Sequence, residues 1–453
     1  MSYEMAAEIL LCAEDINNIF GFGDEEEESS SSAAAARYLS SSPTMAAMWS
    51  PIIGLVLLLL PLGPSSAIKF PLIGNVYLDG HFYATLQIGK PLKPYFLDID
   101  TGSNLTWLEC KHPDHGYNGC NPRTPHPYYK PAAHNLMVRC DSWICAQLRK
   151  DLPGSPQCPK NDPHRCHYDI QYYVTGKSEG DLATDIISVN GRDKKRIAFG
   201  CGYKQEEPAD SPPSPVDGIL GLGMGKAGLA AQLKGHKMIK ENVIGHCLSS
   251  KGKGVLYVGD FNPPTRGVTW APMRESLFYY SPGLAEVFID KQPIRGNPTF
   301  EAVFDSGSTY THVPAQIYNE IVSKVRVTLS ESSLEEVKGR ALPLCWKGKK
   351  PFGSVNDVKN QFKALSLKIT HARGTSNLDI PPQNYLFEDG ETCLAILDAS
   401  LDPVLKELNF ILIGAVTMQD LFVIYDNEKK QLGWVRAQCD RVQELESVID
   451  SRL

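Results

Sequence analysis

Two short segments carry the residues with the clearest chemical potential. Phe96-Leu97-Asp98-Ile99-Asp100-Thr101-Gly102-Ser103 and Ala302-Val303-Phe304-Asp305-Ser306-Gly307-Ser308 each run from an apolar, strand-like stretch into Asp-(Thr/Ser)-Gly-Ser. One copy says little, because an Asp-Gly turn after a strand is common. Two copies in separate halves of one chain predict a duplicated unit that brings two carboxylates together. Held close, both cannot ionise, so the pair keeps one proton and offers an acid and a base at once. Water-mediated hydrolysis of a peptide bond at acid pH needs that combination, and it needs no cofactor.

The elements that must position these carboxylates read as mainly β. His81–Ile88 alternates apolar and polar residues and ends at a glycine. Similar runs lie at Arg196–Phe199, Gly254–Val258, Ala285–Ile289 and Leu421–Tyr425. Helical patterns are few: Ile317, Ile321 and Val325 recur after Pro314, and Val355, Val358, Phe362 and Leu365 form a second stripe. Both stripes read as core faces. The duplication continues past the Asp motifs. Asp100 is followed by Gly218-Ile219-Leu220-Gly221-Leu222-Gly223, and Asp305 by Ile411-Leu412-Ile413-Gly414. Glycine at the end of such a strand lets a neighbouring backbone approach closely.

The chain has 453 residues, enough for two domains or one large bilobal one. Its net charge of −7 is concentrated at the N-terminus, where residues 1–44 hold nine acids and one base. The remainder has 43 acids against 44 bases, so nothing points to a nucleic-acid surface. Residues 1–44 also include runs of Glu, Ser and Ala that cannot build a core, and they read as a disordered acidic extension. Residues 45–67 contain a short, proline-broken apolar run ending in small residues, with Ser65 and Ala67 where a signal peptidase reads. That run is poor as a membrane span. The expectation is a protein of the secretory pathway, extracellular, in the cell wall or in the vacuole, with no membrane anchor once mature. Translation from Met45 or Met48 would put the signal at the start of the chain. The competing reading is a nuclear interaction protein. Leu10-Leu11-Cys12-Ala13-Glu14 resembles the Leu-x-Cys-x-Glu motif with which plant D-type cyclins bind retinoblastoma-type proteins.

Cysteine usage favours secretion. Beyond Cys12 there are eleven, six of them between Cys110 and Cys166 in a stretch rich in Pro, His and Asn that would benefit from disulfide staples. An odd count leaves a thiol free or paired between molecules. Cys110, His112, His115 and Cys120 lie close in sequence but match no compact zinc spacing.

A further set of blocks is more specific than any single motif. It comprises Asp100-Thr-Gly-Ser-Asn-Leu-Thr-Trp107-Leu-Glu-Cys110, Pro125-His-Pro-Tyr-Tyr-Lys-Pro131 and Ala198-Phe-Gly-Cys201-Gly-Tyr203. It continues with Gly245-His-Cys247, Asp305-Ser-Gly-Ser-Thr-Tyr310, Cys345-Trp-Lys-Gly348, Met418-Gln-Asp420 and Val423-Ile-Tyr-Asp426. In this order the blocks resemble the pepsin-like aspartic proteases over about residues 75–440, and most of all the plant nucellin-like group. The resemblance implies an all-β, bilobal fold with a cleft between an N-terminal lobe (68–270) and a C-terminal lobe (271–453). It implies Asp100 and Asp305 as the catalytic pair, with Thr101 and Ser306 locking the two loops by crossed hydrogen bonds. Ser103 and Ser308 would bond the outer carboxylate oxygens, while Gly102 and Gly307 leave room for the turns. Tyr172 occupies the position of the family's flap tyrosine, with Trp107 as its hydrogen-bond partner. The flap departs from the usual Tyr-Gly-x-Gly, since Tyr173 follows Tyr172 directly. The short interval between Ala67 and the first matching strand leaves no room for the family's basic prosegment. The substrate would be a peptide or protein, taken by a monomer. The alternative is a catalytically silent pepsin-fold binding or inhibitor protein, against which both Asp motifs stand intact.

Three other patterns lead nowhere. Gly223-Met-Gly225-Lys-Ala-Gly228 matches a dinucleotide loop, but lacks the βαβ context that loop needs. Asn104-Leu105-Thr106 is a glycosylation sequon wedged between the catalytic loop and Trp107, where burial would exclude the transferase. No His-Glu-x-x-His occurs, so zinc hydrolases of that type have no support.

Overall fold

The computed structural model describes residues 67–441, apart from 78–79, 112–123, 132–135, 153–157, 159–164, 173–175, 190–193, 207–213, 262–266, 275–277 and 403–404. The acidic extension, the apolar run at 45–66 and the tip of the flap hairpin lie outside the described residues. The described residues belong to one compact unit.

Among the described residues the N-terminal half contains ten strands, some alternating and others, such as Val243–Leu248 and Gly254–Val258, buried along their whole length. They are β1 (Ile68–Asn75), β2 (His81–Ile88), β3 (Lys93–Asp100), β4 (Trp107–Glu109), β5 (His167–Tyr172), β6 (Gly176–Ser188), β7 (Lys194–Glu206), β8 (Gly218–Gly221), β9 (Val243–Leu248) and β10 (Gly254–Val258). β2 is of the first kind: Phe82, Ala84, Leu86 and Ile88 turn inward while the residues between them stay partly exposed. These strands belong to a 13-stranded sheet in the order Thr269–Pro272, Gln431–Arg436, Leu421–Asp426, β9, β10, β1, β2, β3, β8, β4, β7, β6, β5. The last two C-terminal strands are thus hydrogen-bonded into the same sheet as β9. A division of the chain at 270/271 falls inside the strand Thr269–Pro272, which pairs with Gln431–Arg436. The two halves share this sheet because its apolar strands, such as Leu421–Asp426, are buried along their whole length. An 8-stranded sheet forms the core of the C-terminal half, and a 4-stranded sheet flanks it.

The helix Ala315–Leu329 starts after Pro314 and buries Ile317, Ile321 and Val325, as its periodicity predicts. The second stripe is not a helix. Val355–Asp357 and Lys359–Gln361 are single 3-10 turns, Phe362 is extended, and Leu365 opens a strand. All four stripe residues are nevertheless buried. A capping box at Ser354 and Asp357 closes the first turn. Asn356, Asp357 and Asn360 have low helical preference and side chains that compete for the backbone, so the turns do not continue as a helix.

The duplication is visible in the topology. β3 runs parallel to β8, with Asp100 opposite Gly221, and β8 also pairs antiparallel with β4. In the second half Thr299–Phe304 runs parallel to Phe410–Ile413, with Phe304 opposite Ile413, and that strand pairs antiparallel with Thr311–Val313. Each Asp loop therefore crosses the end of a returning strand. A Cβ on Gly221 would lie 2.6 Å from the Leu105 backbone, and one on Gly414 would collide with the Tyr310 carbonyl. Glycine is required at both crossings for that reason.

Candidate active site

Asp100 is the last residue of β3, and Asp305 directly follows Thr299–Phe304. Each turn folds back on its own carboxylate. Asp100 Oδ1 accepts from the backbone N–H of Gly102 at 2.7 Å and of Ser103 at 3.2 Å, and Oδ2 accepts from the Ser103 hydroxyl. Asp305 Oδ1 accepts from Gly307 N–H at 3.0 Å, and Oδ2 accepts from the Ser308 hydroxyl at 2.7 Å. Both carboxyl groups are buried, at 5% and 4% exposure.

The loops are tied to one another by crossed bonds. Thr101 N–H donates to Ser306 Oγ at 3.0 Å, and Ser306 N–H donates to Thr101 Oγ1 at 2.9 Å. Each hydroxyl then donates to the strand opposite: Thr101 to Phe304 O at 3.1 Å and Ser306 to Ile99 O at 2.7 Å. The glycines allow the two carboxyl groups to meet. A Cβ on Gly102 would lie 2.6 Å from Asp305 Oδ1, and one on Gly307 would lie 2.7 Å from Asp100 Cγ.

This packing sets the electrostatics. Burial raises the Asp100 carboxyl well above its ordinary value, and the negative charge of Asp305 adds to the shift against the hydrogen bonds from Ser103 and Gly102. Burial also raises Asp305, opposed by bonds from Ser308, Asp100 and Gly307. Two carboxyl groups in hydrogen-bond contact at such a site hold a proton between them.

Tyr172 ends β5, opposite Gly176 of β6 at the turn end of the hairpin. Its hydroxyl accepts from Trp107 Nε1 at 2.6 Å. Burial, and next the nearby Asp100 charge, raise the phenol well above its usual range, so it remains a neutral donor.

Two family models, described as Xylanase inhibitor N-terminal and Xylanase inhibitor C-terminal, match residues 82–260 and 280–436. An aspartic proteinase of Oryza sativa subsp. indica is 47% identical over 422 residues, which cover 90% of this chain and 100% of that protein. Aspartic proteinase 36 of Arabidopsis thaliana is 25% identical over 82% of this chain and 77% of its own length. Among solved structures, Basic 7S globulin from soybean superposes with a TM-score of 0.60 at 17% identity, over 83% of this chain and 97% of that one. The chain belongs to the plant pepsin-like aspartic proteinases.

Membership makes this chain an aspartic-type endopeptidase acting on peptide or protein substrates. Its fold is the mainly β, bilobal pepsin-like one. Ten described cysteines form five disulfides: Cys110–Cys201, Cys140–Cys158, Cys145–Cys166, Cys247–Cys439 and Cys345–Cys393. No described cysteine is free, and Cys120 lies outside the described residues together with His112 and His115. Among the described residues, no helix is long and apolar enough to cross a membrane.

Sequence reasoning overlooked three supports of this proteinase site. Asn104 appears in the sequence only as part of a sequon, yet it is 6% exposed, accepts from Gly225 N–H at 2.8 Å and donates to Asp151 O at 3.1 Å. Gly223 and Gly225, the false dinucleotide loop, make room for it; a Cβ on Gly225 would lie 2.6 Å from Asn104 Cγ. His246 Nε2 lies 2.9 Å from the Tyr425 hydroxyl, a phenol that burial raises well above its usual range. Burial pushes His246 down to about 3, so the ring is neutral through most of the acid range. Finally, His81 and Asp98 pair beside the first Asp loop. Only the Leu-Asp-Ile-Asp pattern of β3, with its extra acid two residues before Asp100, gave a signal for the last of these.

Proposed function

We propose that Asp100 and Asp305 form the catalytic dyad of this endopeptidase and share one proton at acid pH. One carboxylate takes a proton from a water held between them as that water attacks the scissile carbonyl. The other carboxyl protonates the carbonyl oxygen; as the tetrahedral intermediate collapses, the carboxyl that took the water's proton passes it to the leaving amine, and the other takes a proton back from the intermediate's hydroxyl. The proton belongs to the pair rather than to either residue. The observation that carries this reading is the mutual burial of two carboxyl groups, each oriented by its own turn and each fitted against the other loop's glycine. Thr101 and Ser306 fix the separation, Ser103 and Ser308 orient the outer oxygens, and Trp107 holds Tyr172 where it can close over a bound peptide. One copy suffices, since a single chain supplies both carboxylates.

The sequence before Ile68 and the five disulfides support a secretory protein that matures in an oxidising compartment. On this reading residues 1–44 are dispensable for activity. A chain starting at Met45, expressed in plant cells, should enter the secretory pathway and yield active enzyme; cytosolic retention overturns the assignment.

The test of the dyad is peptide hydrolysis at acid pH by Asp100→Asn and Asp305→Asn. Each is expected to fall to background with its thermal unfolding intact, and the wild type should be blocked by a statine-type analogue of the tetrahedral intermediate. Activity retained in either folded variant overturns the mechanism.

A further inference from the structure

The hairpin that carries Tyr172 has two faces, and the mechanism uses only one of them. Alternation along β5 puts Tyr168, Ile170 and Tyr172 on one side and His167, Asp169 and Gln171 on the other. Tyr168 and Ile170 are buried, whereas Gln171 is exposed. On β6, Lys177 stands opposite Gln171 and Gly176 stands opposite Tyr172. The Gln171 amide folds back on the turn end of this hairpin. Its Nε2 donates to Gly176 O at 3.1 Å and to Tyr172 O at 3.3 Å. A carboxamide has two N–H donors, and here they bridge the two strands. Tyr172 is therefore held at two points, its phenol by Trp107 Nε1 and its carbonyl by Gln171. Behind the bridge, ion pairs lace the outer face: Lys177 Nζ lies 2.8 Å from Asp169 Oδ2, and Lys204 Nζ of β7 lies 3.0 Å from Glu179 Oε2. The chain from Tyr172 to Gly176 reads Tyr-Tyr-Val-Thr-Gly, so no glycine follows the phenol directly. The glycine sits instead at the far side of the bridge, where φ is 111°.

We propose that Gln171 is a positioning residue that sets Tyr172 in its working place before a peptide arrives. The inference rests on the reading of Tyr172 as the group that closes over substrate. The end of a hairpin frays more readily than its middle, and Tyr172 is the last residue of β5. The amide bridge ties that end to β6 independently of the Trp107 bond. Without the bridge, peptide binding must impose the order that the bridge supplies in advance, and that cost appears in kcat/KM. Gln171 reaches no reacting atom. It acts through Tyr172, and so through the bond that Tyr172 makes with Trp107.

The experiment compares the full chain with Gln171→Met, Gln171→Asn, Tyr172→Phe, the double variant of Gln171→Met with Tyr172→Phe, and Lys204→Met. Two quantities are read: kcat/KM at acid pH on one peptide substrate, and the indole N–H resonance of Trp107 in the resting enzyme, assigned with Trp107→Phe. Gln171→Met keeps the length of the side chain and loses its donors. It is expected to lower kcat/KM about three- to tenfold and to move the Trp107 resonance. Gln171→Asn, whose amide falls one methylene short, should match it. In the Tyr172→Phe background, Gln171→Met should cost less than about twofold, because the group it positions no longer makes its bond. Lys204→Met removes an exposed ion pair from the same hairpin and should move neither reading. The proposal is overturned if the loss from Gln171→Met is undiminished in the Tyr172→Phe background. It is equally overturned if Lys204→Met reproduces that loss, which would make it a general loosening of the hairpin. A Tyr172→Phe enzyme with wild-type kcat/KM would overturn the reading of Tyr172 and the proposal with it. An unmoved Trp107 resonance in Gln171→Met overturns the proposal alone and leaves that reading standing.

Discussion

The two Asp loops are alike in their chemistry and different in their anchorage. Each turn offers its carboxylate a backbone N–H from the Gly and a hydroxyl from the following Ser, and each hydroxyl of the central tie donates across to the other half. The residue after the motif differs. Asn104 locks the first loop to its own half, through Gly225 and Asp151. Thr309 ties the second loop across to Gly80, at the entrance to β2. The flap contact, Trp107 to Tyr172, belongs to the first loop. Proton sharing demands symmetry only where the carboxyl groups meet. Outside that zone, one half can carry the flap hairpin while the other holds the two halves together.

The symmetric part of this comparison is broken most severely by filling either glycine. Gly102→Ala should press on Asp305 and Gly307→Ala on Asp100, each lowering kcat by about a hundredfold or more through displacement of the opposite carboxyl. Single-turnover assays on both variants check this; a large loss in one and none in the other would show that the dyad is not mutually packed.

The central tie is the next largest effect. Thr101→Val leaves Ser306 N–H and Phe304 O without that partner, and Ser306→Ala does the same to Thr101 N–H and Ile99 O. Each should cost about 1–3 kcal/mol in urea unfolding. The double variant should lose less than the sum, by at least about 0.5 kcal/mol. Strict additivity would mean that the two hydroxyls do not act as a unit.

The asymmetric part is sharpened by Tyr172→Phe and Trp107→Phe. Each removes the 2.6 Å flap bond and should lower kcat/KM about tenfold, with unfolding changed little. Asn104→Ala should do the reverse, costing about 1–2 kcal/mol of stability while the surviving folded enzyme retains its acid profile.

The smallest expected effect is in the pH dependence of unfolding. The dyad carboxyl groups are raised in the fold, so above their unfolded values the native state binds more protons than the unfolded chain, and stability falls as pH rises toward the native values. Asp305→Asn, neutral throughout, should flatten that fall. His246 and His312 act oppositely. They are held down to about 3 and about 4 by burial, so the unfolded chain takes up more protons and stability falls as pH drops below about 6.5. His312→Gln should flatten the acid side alone, as read from Tm between pH 6.5 and 4; a parallel shift of both sides would contradict this division.

Whatever is local or periodic in this protein is legible in the order of its residues. Asp-Thr-Gly-Ser closes on its own carboxylate within three residues, so the turn is written in the motif. β2 follows from alternation, and the helix Ala315–Leu329 from four-residue spacing. The ordered blocks, through family resemblance, also pointed to the crossed tie and to Tyr172 with Trp107. Contacts between residues far apart in the chain come from folding and from nothing simpler: Ser306 on Thr101, 205 positions away, and Gly80 on Thr309, 229 away. Folding also makes a sequon Asn a buried strut, makes a Gly-rich run the space for it, and splits a helical stripe into two turns and a strand. It joins the chain's last strands to the sheet of its first half. The reason is physical. A turn or a strand face depends on spacing along the chain, which the sequence displays. A buried carboxyl, imidazole or amide takes its meaning from whichever group packing brings within hydrogen-bond reach, and that depends on the sheet as a whole.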